Sequence, residues 1–122
     1  MSNRKKNLSG TGKEILDTLC IFAEVERSLA LKLALAKGIT AGIYNLETEK
    51  DDKPKWTIPE GLIKDKEYLL FKHLIIQEQL KPLDDEQISD YMLTYIEAGL
   101  RKFQTLMIAQ NSLEDFRIKM LQ

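Results

Sequence analysis

Residues 84–107 read DDEQISDYMLTYIEAGLRKFQTLM, and this stretch decides the fold. Its apolar residues recur every three or four positions, which is the spacing of one face of an α-helix. They are Ile88, Tyr91, Met92, Tyr95, Ile96, Leu100, Phe103, Leu106 and Met107. Asp84 is followed three residues later by Gln87, the form of a capping box at a helix N-terminus. The pattern predicts a long amphipathic helix at the centre of the core.

Two helices are predicted before this one in the N-terminal third of the chain. Thr11 and Glu14 have the spacing of a second capping box and open a helix from about Gly12 to Val25. The apolar block 29–35 consists of strong helix formers, and Gly38 is expected to end that second helix. Both helices lie close enough in sequence to pack as neighbours.

The middle and the end of the chain complete the predicted architecture. Residues 40–60 are interrupted by glycine, proline and clustered charges, which predicts a long loop that Trp56 anchors. A helix follows over Ile63–Gln79, and a capping box at Ser112 predicts a short closing helix. We expect an all-α protein, a single compact helical bundle of about five helices with one long middle loop. Residues 1–122 form one domain, in which residues 1–10 are a basic flexible N-terminal segment.

Length, charge and cysteine content exclude several classes of protein. At 122 residues the chain has room for one core, and its net charge of −1 argues against a strongly basic nucleic-acid binder. The longest apolar runs are far shorter than the roughly 20 residues that cross a bilayer. The single cysteine, Cys20, cannot build a disulfide framework or a cysteine-based zinc site within one chain. We therefore expect a cytoplasmic protein without membrane contact.

The residues of a conventional catalytic or metal site are missing from the sequence. Residues 8–14 superficially resemble a phosphate-binding loop, but the first glycine is replaced by Asn7 and the final Ser or Thr by Glu14. His73 is the single histidine, so a triad or a His-paired metal site needs another chain. The acidic clusters at 51–52 and 84–86 have ready explanations as a solvated loop and a helix N-terminus. We predict no enzyme activity, no catalytic residues, no metal and no cofactor.

The basic residues are the remaining functional candidates. Six of them could neutralise DNA phosphates if the first two helices pack with their basic faces together. These predicted nucleic-acid-binding residues are Arg4, Lys5, Lys6, Lys13, Lys32 and Lys37. The alternative interpretation is a frayed basic tail and ordinary solvated lysines.

A set of features along most of the chain resembles a known family. The residues that carry the similarity are Leu8-Ser9, Lys13-Glu14, Leu16, the block Leu29–Leu35, Trp56 before Gly61, Tyr68-Leu69-Leu70 with Leu80, Ala98-Gly99-Leu100, and Ser112–Asp115. In order and spacing these resemble the DNA sulfur modification protein DndE family, whose members are small helical proteins. Of the predicted cations, Lys13 is the one that the resemblance carries over.

The resemblance implies a part in DNA phosphorothioation, in which sulfur replaces a non-bridging oxygen of the DNA backbone. The chemistry in such systems belongs to a cysteine desulfurase and ATP-using subunits. A DndE-like protein is then an accessory that binds double-stranded or nicked DNA, self-associates and contacts the other DNA sulfur modification proteins.

Two other functions stay open at this point. The family tends to carry a basic run at the end of the first helix, whereas residues 19–26 here are apolar and acidic. That departure and the near-neutral charge favour a protein-binding adaptor without DNA contact. A nickase that uses Asp/Glu-bound magnesium is the third hypothesis, which lacks a visible pair of convergent acids with a base.

The alternating leucines of the second predicted helix suggest self-association. Leu29, Leu31, Leu33 and Leu35 spread around the helix cylinder instead of forming one stripe. A helix that is apolar all round must be covered on more than one side, and a second copy of the chain would cover it. We expect a homo-oligomer built partly on this helix, which Leu31→Asp or Leu35→Asp should dissociate. The competing account buries this helix at the centre of a single-chain bundle.

Overall fold

The computed structural model describes residues 6–42, 55–59, 62–109, 118 and 121. In order along the chain these residues form β1 (Asn7–Leu8), α1 (Gly10–Ala23), α2 (Arg27–Ala41), β2 (Trp56–Thr57), α3 (Asp65–Gln79) and α4 (Asp85–Ala109). The protein is mostly helical, as predicted. The described residues contain four helices, however, where the sequence predicted about five. The closing helix predicted from Ser112 falls largely outside the described residues.

The longest helix, α4, begins where the sequence predicts it. The backbone N–H of Asp84 donates to Gln87 Oε1 at 3.0 Å, and the backbone N–H of Gln87 donates to Asp84 Oδ1 at 2.8 Å. This reciprocal pair confirms the capping box. The predicted apolar face is buried at Ile88, Met92, Tyr95, Ile96, Leu100 and Phe103. The 25-residue helix therefore forms one wall of the core along most of its length.

Helices α2 and α4 make the most extensive contact in the described fold. A Cβ added to Gly38 would lie 2.0 Å from the carbonyl oxygen of Tyr95, and one added to Gly99 would lie 1.8 Å from the carbonyl oxygen of Ala34. Each helix thus uses a glycine to approach the backbone of the other. The prediction that Gly38 ends α2 is wrong, because the helix continues to Ala41. Gly38 is needed for the close packing of α2 against α4. A glycine in the sequence is compatible with close helix packing and with helix termination, so the residue type does not distinguish the two.

The same contact corrects the expected role of two α2 leucines. Leu31 and Leu35 are fully buried within the single chain, as the competing account requires. They need no second copy to cover them, so the expectation that a homo-oligomer is built on them is wrong. Leu29 and Leu33 lie on the opposite side of α2 and stay exposed and half-buried, respectively.

The start of the chain is more ordered than the sequence predicted. Asn7–Leu8 pairs antiparallel with Trp56–Thr57, and the Leu8 side chain is fully buried. Residues 7–10 of the segment predicted to be flexible belong to β1 and α1 or lie between them, and the Leu8 side chain is buried in the core. Residues 1–5 lie outside the described residues. The loop predicted at 40–60 also needs correction at both ends, since α2 includes residues 40 and 41 and β2 includes residues 56 and 57.

The cap of α1 comes from a different residue than predicted. Ser9 Oγ accepts a hydrogen bond from the backbone N–H of Gly12 at 2.9 Å, so Ser9 is the N-cap in place of Thr11. As a result α1 begins two residues earlier than predicted, at Gly10. At the other end Glu24 adopts the left-handed conformation with φ of 56° and closes the helix.

Helix α3 is attached to α4 through polar side chains as well as through the core. The Tyr68 hydroxyl donates to Asp85 Oδ1 at 3.1 Å, and Lys72 Nζ lies 3.4 Å from the same oxygen. Burial and the hydrogen bond to Asp85 raise the pKa of Tyr68 to about 12, so the phenol stays protonated at neutral pH. Gln79 donates to the Tyr95 hydroxyl at 2.7 Å.

None of the helices in the described part of the chain is long and apolar enough to cross a membrane.

Candidate nucleic-acid interface

A cluster of charged side chains joins α1, α2 and β2. Lys13 and Asp17 lie one turn apart on α1, with Lys13 Nζ 3.0 Å from Asp17 Oδ2. Arg27, the first residue of α2, places Nη2 2.8 Å from Asp17 Oδ1. The Arg27 guanidinium also lies over the Trp56 ring, 5.5 Å from its centroid. We call these four residues the Asp17 cluster.

The Asp17 cluster carries an excess of positive charge. Burial raises the pKa of Asp17, but hydrogen bonds from Lys13 and Arg27, together with their charges, outweigh burial and hold that pKa below its usual value. Asp17 is therefore ionised at neutral pH, and its two cations exceed it by one positive charge. The Lys13 and Arg27 side chains are 35% and 52% exposed, so an anion in solution can reach both.

An exposed lysine precedes the strand that carries Trp56. Residues 7 and 8 pair with residues 57 and 56, which places β2 beside the start of α1. Lys55 is exposed. Its neighbour in sequence, Trp56, belongs to the Asp17 cluster.

Three other predicted cations, within the part of the chain that the structure describes, do not join this cluster. Lys6 precedes β1 and forms an ion pair with Asp90 of α4. Lys32 lies 3.0 Å from Glu67 Oε1 of α3, and Lys37 is half-buried further along α2. Arg4 and Lys5 lie outside the described residues. Of the four predicted residues that the structure describes, Lys13 alone lies within the Asp17 cluster.

Sequence reasoning missed Arg27 and Lys55. The signal for Arg27 was available, because α2 contains three cations and no acid in its 15 residues. The Lys55-Trp56 pair is a basic residue next to an aromatic one, a combination that often binds nucleic acid. The position of Trp56 beside Arg27 depends on the pairing of two-residue strands, which are too short to show a periodic pattern.

The start of α1 is already occupied by a carboxylate from α4. Glu97 accepts hydrogen bonds from the backbone N–H of Ser9 at 3.3 Å and from Ser9 Oγ at 2.8 Å. Arg101, one turn further along α4, lies 3.3 Å from Glu97 Oε2. A Cβ on Gly12 would lie 2.2 Å from Glu97 Oε1, so the glycine makes room for this carboxylate. These contacts favour helix capping over phosphate binding for residues 8–14.

The described residues contain no group of three or more His, Cys, Asp or Glu side chains that could hold a metal ion. His73 is exposed on α3, and Cys20 is half-buried on α1. Burial raises the pKa of the Cys20 thiol, which disfavours the reactive thiolate.

No protein-family model, curated protein or solved structure matches this chain.

Proposed function

We propose that this protein is an accessory protein of DNA phosphorothioate modification that binds DNA phosphates, including those of nicked duplex, and the other DNA sulfur modification proteins. The proposal assigns it no enzyme activity of its own, and it includes self-association through a surface other than Leu31 and Leu35. The observation that carries the DNA-binding part is the Asp17 cluster, in which two exposed cations share one carboxylate beside an aromatic ring.

The geometry of Arg27 supports phosphate binding. Its guanidinium contacts both Asp17 and the Trp56 ring, so its position is set before a ligand arrives. A guanidinium has five N–H donors, and the contact with Asp17 leaves donors for a phosphate oxygen. Lys13, one turn before Asp17 on α1, adds a second positive charge beside the same carboxylate. Such contacts bind the backbone of DNA without reading its sequence.

The test is the salt dependence of DNA binding by variants of the Asp17 cluster. The double variant Lys13→Ala/Arg27→Ala should lower the slope of log affinity against log salt by about 0.9 for each phosphate contact removed. Nicked and intact duplexes are titrated in parallel by fluorescence polarisation. The matched control is Lys72→Ala, which removes a lysine ion-paired with Asp85 away from the cluster.

The same titration tests the N-terminal cations. Neutralising Arg4, Lys5, Lys6 and Lys13 together should lower the slope further if the N-terminal segment contributes phosphate contacts. Unchanged slopes in both sets of variants would remove DNA binding from the proposal and leave the adaptor hypothesis.

The adaptor hypothesis is the second candidate, and one observation favours it. Leu69 and Leu70 are more than half exposed on α3, an unusual position for large apolar side chains on a helix whose other face packs in the core. A protein partner that covers them is compatible with DNA binding at the Asp17 cluster and also with its absence.

A further inference from the structure

Helix α3 has fewer buried residues than the other described helices. Two of its 15 residues, Phe71 and Ile75, are buried, whereas α1 and α2 have six buried residues each and α4 has eight. Its contacts with α2 and with α4 are also far less extensive than the contact between α2 and α4. Helices in folded proteins are stabilised mainly by packing of their apolar face, so the core stabilises α3 least of the four.

Polar side chains on its surface supply part of the attachment of α3. The Tyr68 hydroxyl and Lys72 Nζ lie one turn apart, and both contact Asp85 Oδ1 of α4, at 3.1 Å and 3.4 Å. Lys32 of α2 forms an ion pair with Glu67 of α3 at 3.0 Å. All of these charged side chains are at least a quarter exposed, and ion pairs in contact with water stabilise a structure only weakly.

The link from α3 to α4 has the features of a hinge. Helix α3 ends at Leu80, which adopts the left-handed conformation with φ of 56° although it carries a Cβ. The side chains at 80–82 are exposed, and that of Leu83 is buried in the core directly before α4. The chain can therefore rotate at residues 80–82 while Leu83 stays in the core.

The main contacts among α1, α2 and α4 are made without α3. Gly38 and Gly99 bring the backbones of α2 and α4 together, and Glu97 of α4 accepts hydrogen bonds from Ser9 at the cap of α1. Because these contacts do not involve α3, the three helices can stay packed when α3 moves away.

We propose that α3 is a hinged strap that opens as a unit at its link to α4 while α1, α2 and α4 stay packed, and that the contacts of Tyr68 and Lys72 with Asp85 limit how often it opens. Opening withdraws Phe71 and Ile75 from the core, so the apolar surface that they cover on the other helices becomes exposed to water. The strap does not rest on the proposed function, since its opening needs neither DNA nor a partner protein.

The experiment is hydrogen exchange of the full chain under native conditions, measured at several low urea concentrations. The amides of α3 should exchange about tenfold faster or more than the buried amides of α2 and α4, since local opening exposes the former and global unfolding the latter. Exchange in α3 should also depend less on urea, because opening of one helix exposes less surface than global unfolding.

Two variants with the same substitution separate opening of α3 from global unfolding. Ile15→Val, in the core on α1, should speed exchange in α2 and α4 by about two- to tenfold and leave α3 unchanged, because the contacts of Ile15 persist in the open state. Ile75→Val should speed exchange in α3 as well, because opening breaks the contacts of Ile75.

A second pair of variants tests the contact with Asp85. Lys72→Met removes the ion pair with Asp85 and should speed exchange in α3 by about two- to fivefold. Lys66→Met makes the same substitution at an exposed position of the same helix and should change the rate little.

Four results would overturn the proposal. Exchange in α3 with the rate and urea dependence of α2, or faster exchange in α3 on Ile15→Val, would show that α3 leaves the core only in global unfolding. Equal rates for Lys72→Met and Lys66→Met would reject the part played by Asp85. Protection of α3 that rises with protein concentration would show that a second copy of the chain holds the helix in place.

Discussion

Asp17 sets how much positive charge its cluster presents to solution. Asp17 forms ion pairs with both Lys13 and Arg27, so one carboxylate partly neutralises two cations. The sequence analysis predicted Lys13 as a phosphate ligand but did not predict its pairing with Asp17, although the two residues lie one turn apart on one helix. The cations of α2 could be read from the sequence, but the contacts of Arg27 with Asp17 and Trp56 could not, because they come from α1 and β2.

Replacing Asp17 with Asn should strengthen DNA binding. The substitution removes the acid that competes with phosphate for Lys13 and Arg27. Two unit charges about 4 Å apart in water interact with roughly 1 kcal/mol, which is equivalent to about a fivefold gain in affinity. The measurement is a duplex titration at fixed salt. Asp85→Asn is the control, because Asp85 pairs with Lys72 away from the Asp17 cluster. Unchanged affinity of Asp17→Asn, which keeps a hydrogen-bond acceptor for Arg27, would show that phosphate does not contact these cations.

For the secondary-structure elements, the presence of the described helices could be predicted from the sequence, whereas the residues at which they begin and end could be predicted less well. The period of α4 and its capping box are local features of the sequence, and both were predicted correctly. Gly38 was misread because glycine serves helix termination and close helix packing alike. Its partner for packing, the backbone around Tyr95, lies more than fifty residues away, and no local pattern records that contact.

The close approach of α2 and α4 gives a sharp stability prediction. In an ordinary helix interior Gly→Ala stabilises by about 1 kcal/mol, because alanine is the better helix former. Gly38→Ala should instead destabilise by about 1–3 kcal/mol, since its Cβ would overlap the Tyr95 backbone. Urea unfolding followed by circular dichroism measures the difference. Thr40→Ala, at an exposed position on the same helix, serves as control and should change stability little.

A stable Gly38→Ala variant would contradict the packing described for α2 and α4. Leu31 and Leu35 are buried at the same contact between α2 and α4, so their burial would then also need another explanation.

For the whole molecule, a net charge of −1 conceals an uneven distribution. Helix α2 carries cations without acids, whereas α4 begins with Asp85 and Glu86. The sequence predicted a basic region alongside acidic ones, but not which cations gather, because that depends on how α1, α2 and β2 meet. It also did not show which leucines stay exposed, because Leu29, Leu69 and Leu70 lie in the same apolar pattern as core residues. Only the fold separates the buried leucines of α2 from the exposed one.

The central claim is that this chain binds the phosphate backbone of DNA, and the salt dependence of binding by the unmodified chain tests it most directly. Affinity for a nicked duplex is measured over a series of salt concentrations. With phosphate contacts from Lys13 and Arg27, log affinity should fall linearly with log salt with a slope of about −1.8 or steeper, at about 0.9 per contact. A slope near zero, or no binding at low salt, would contradict the claim.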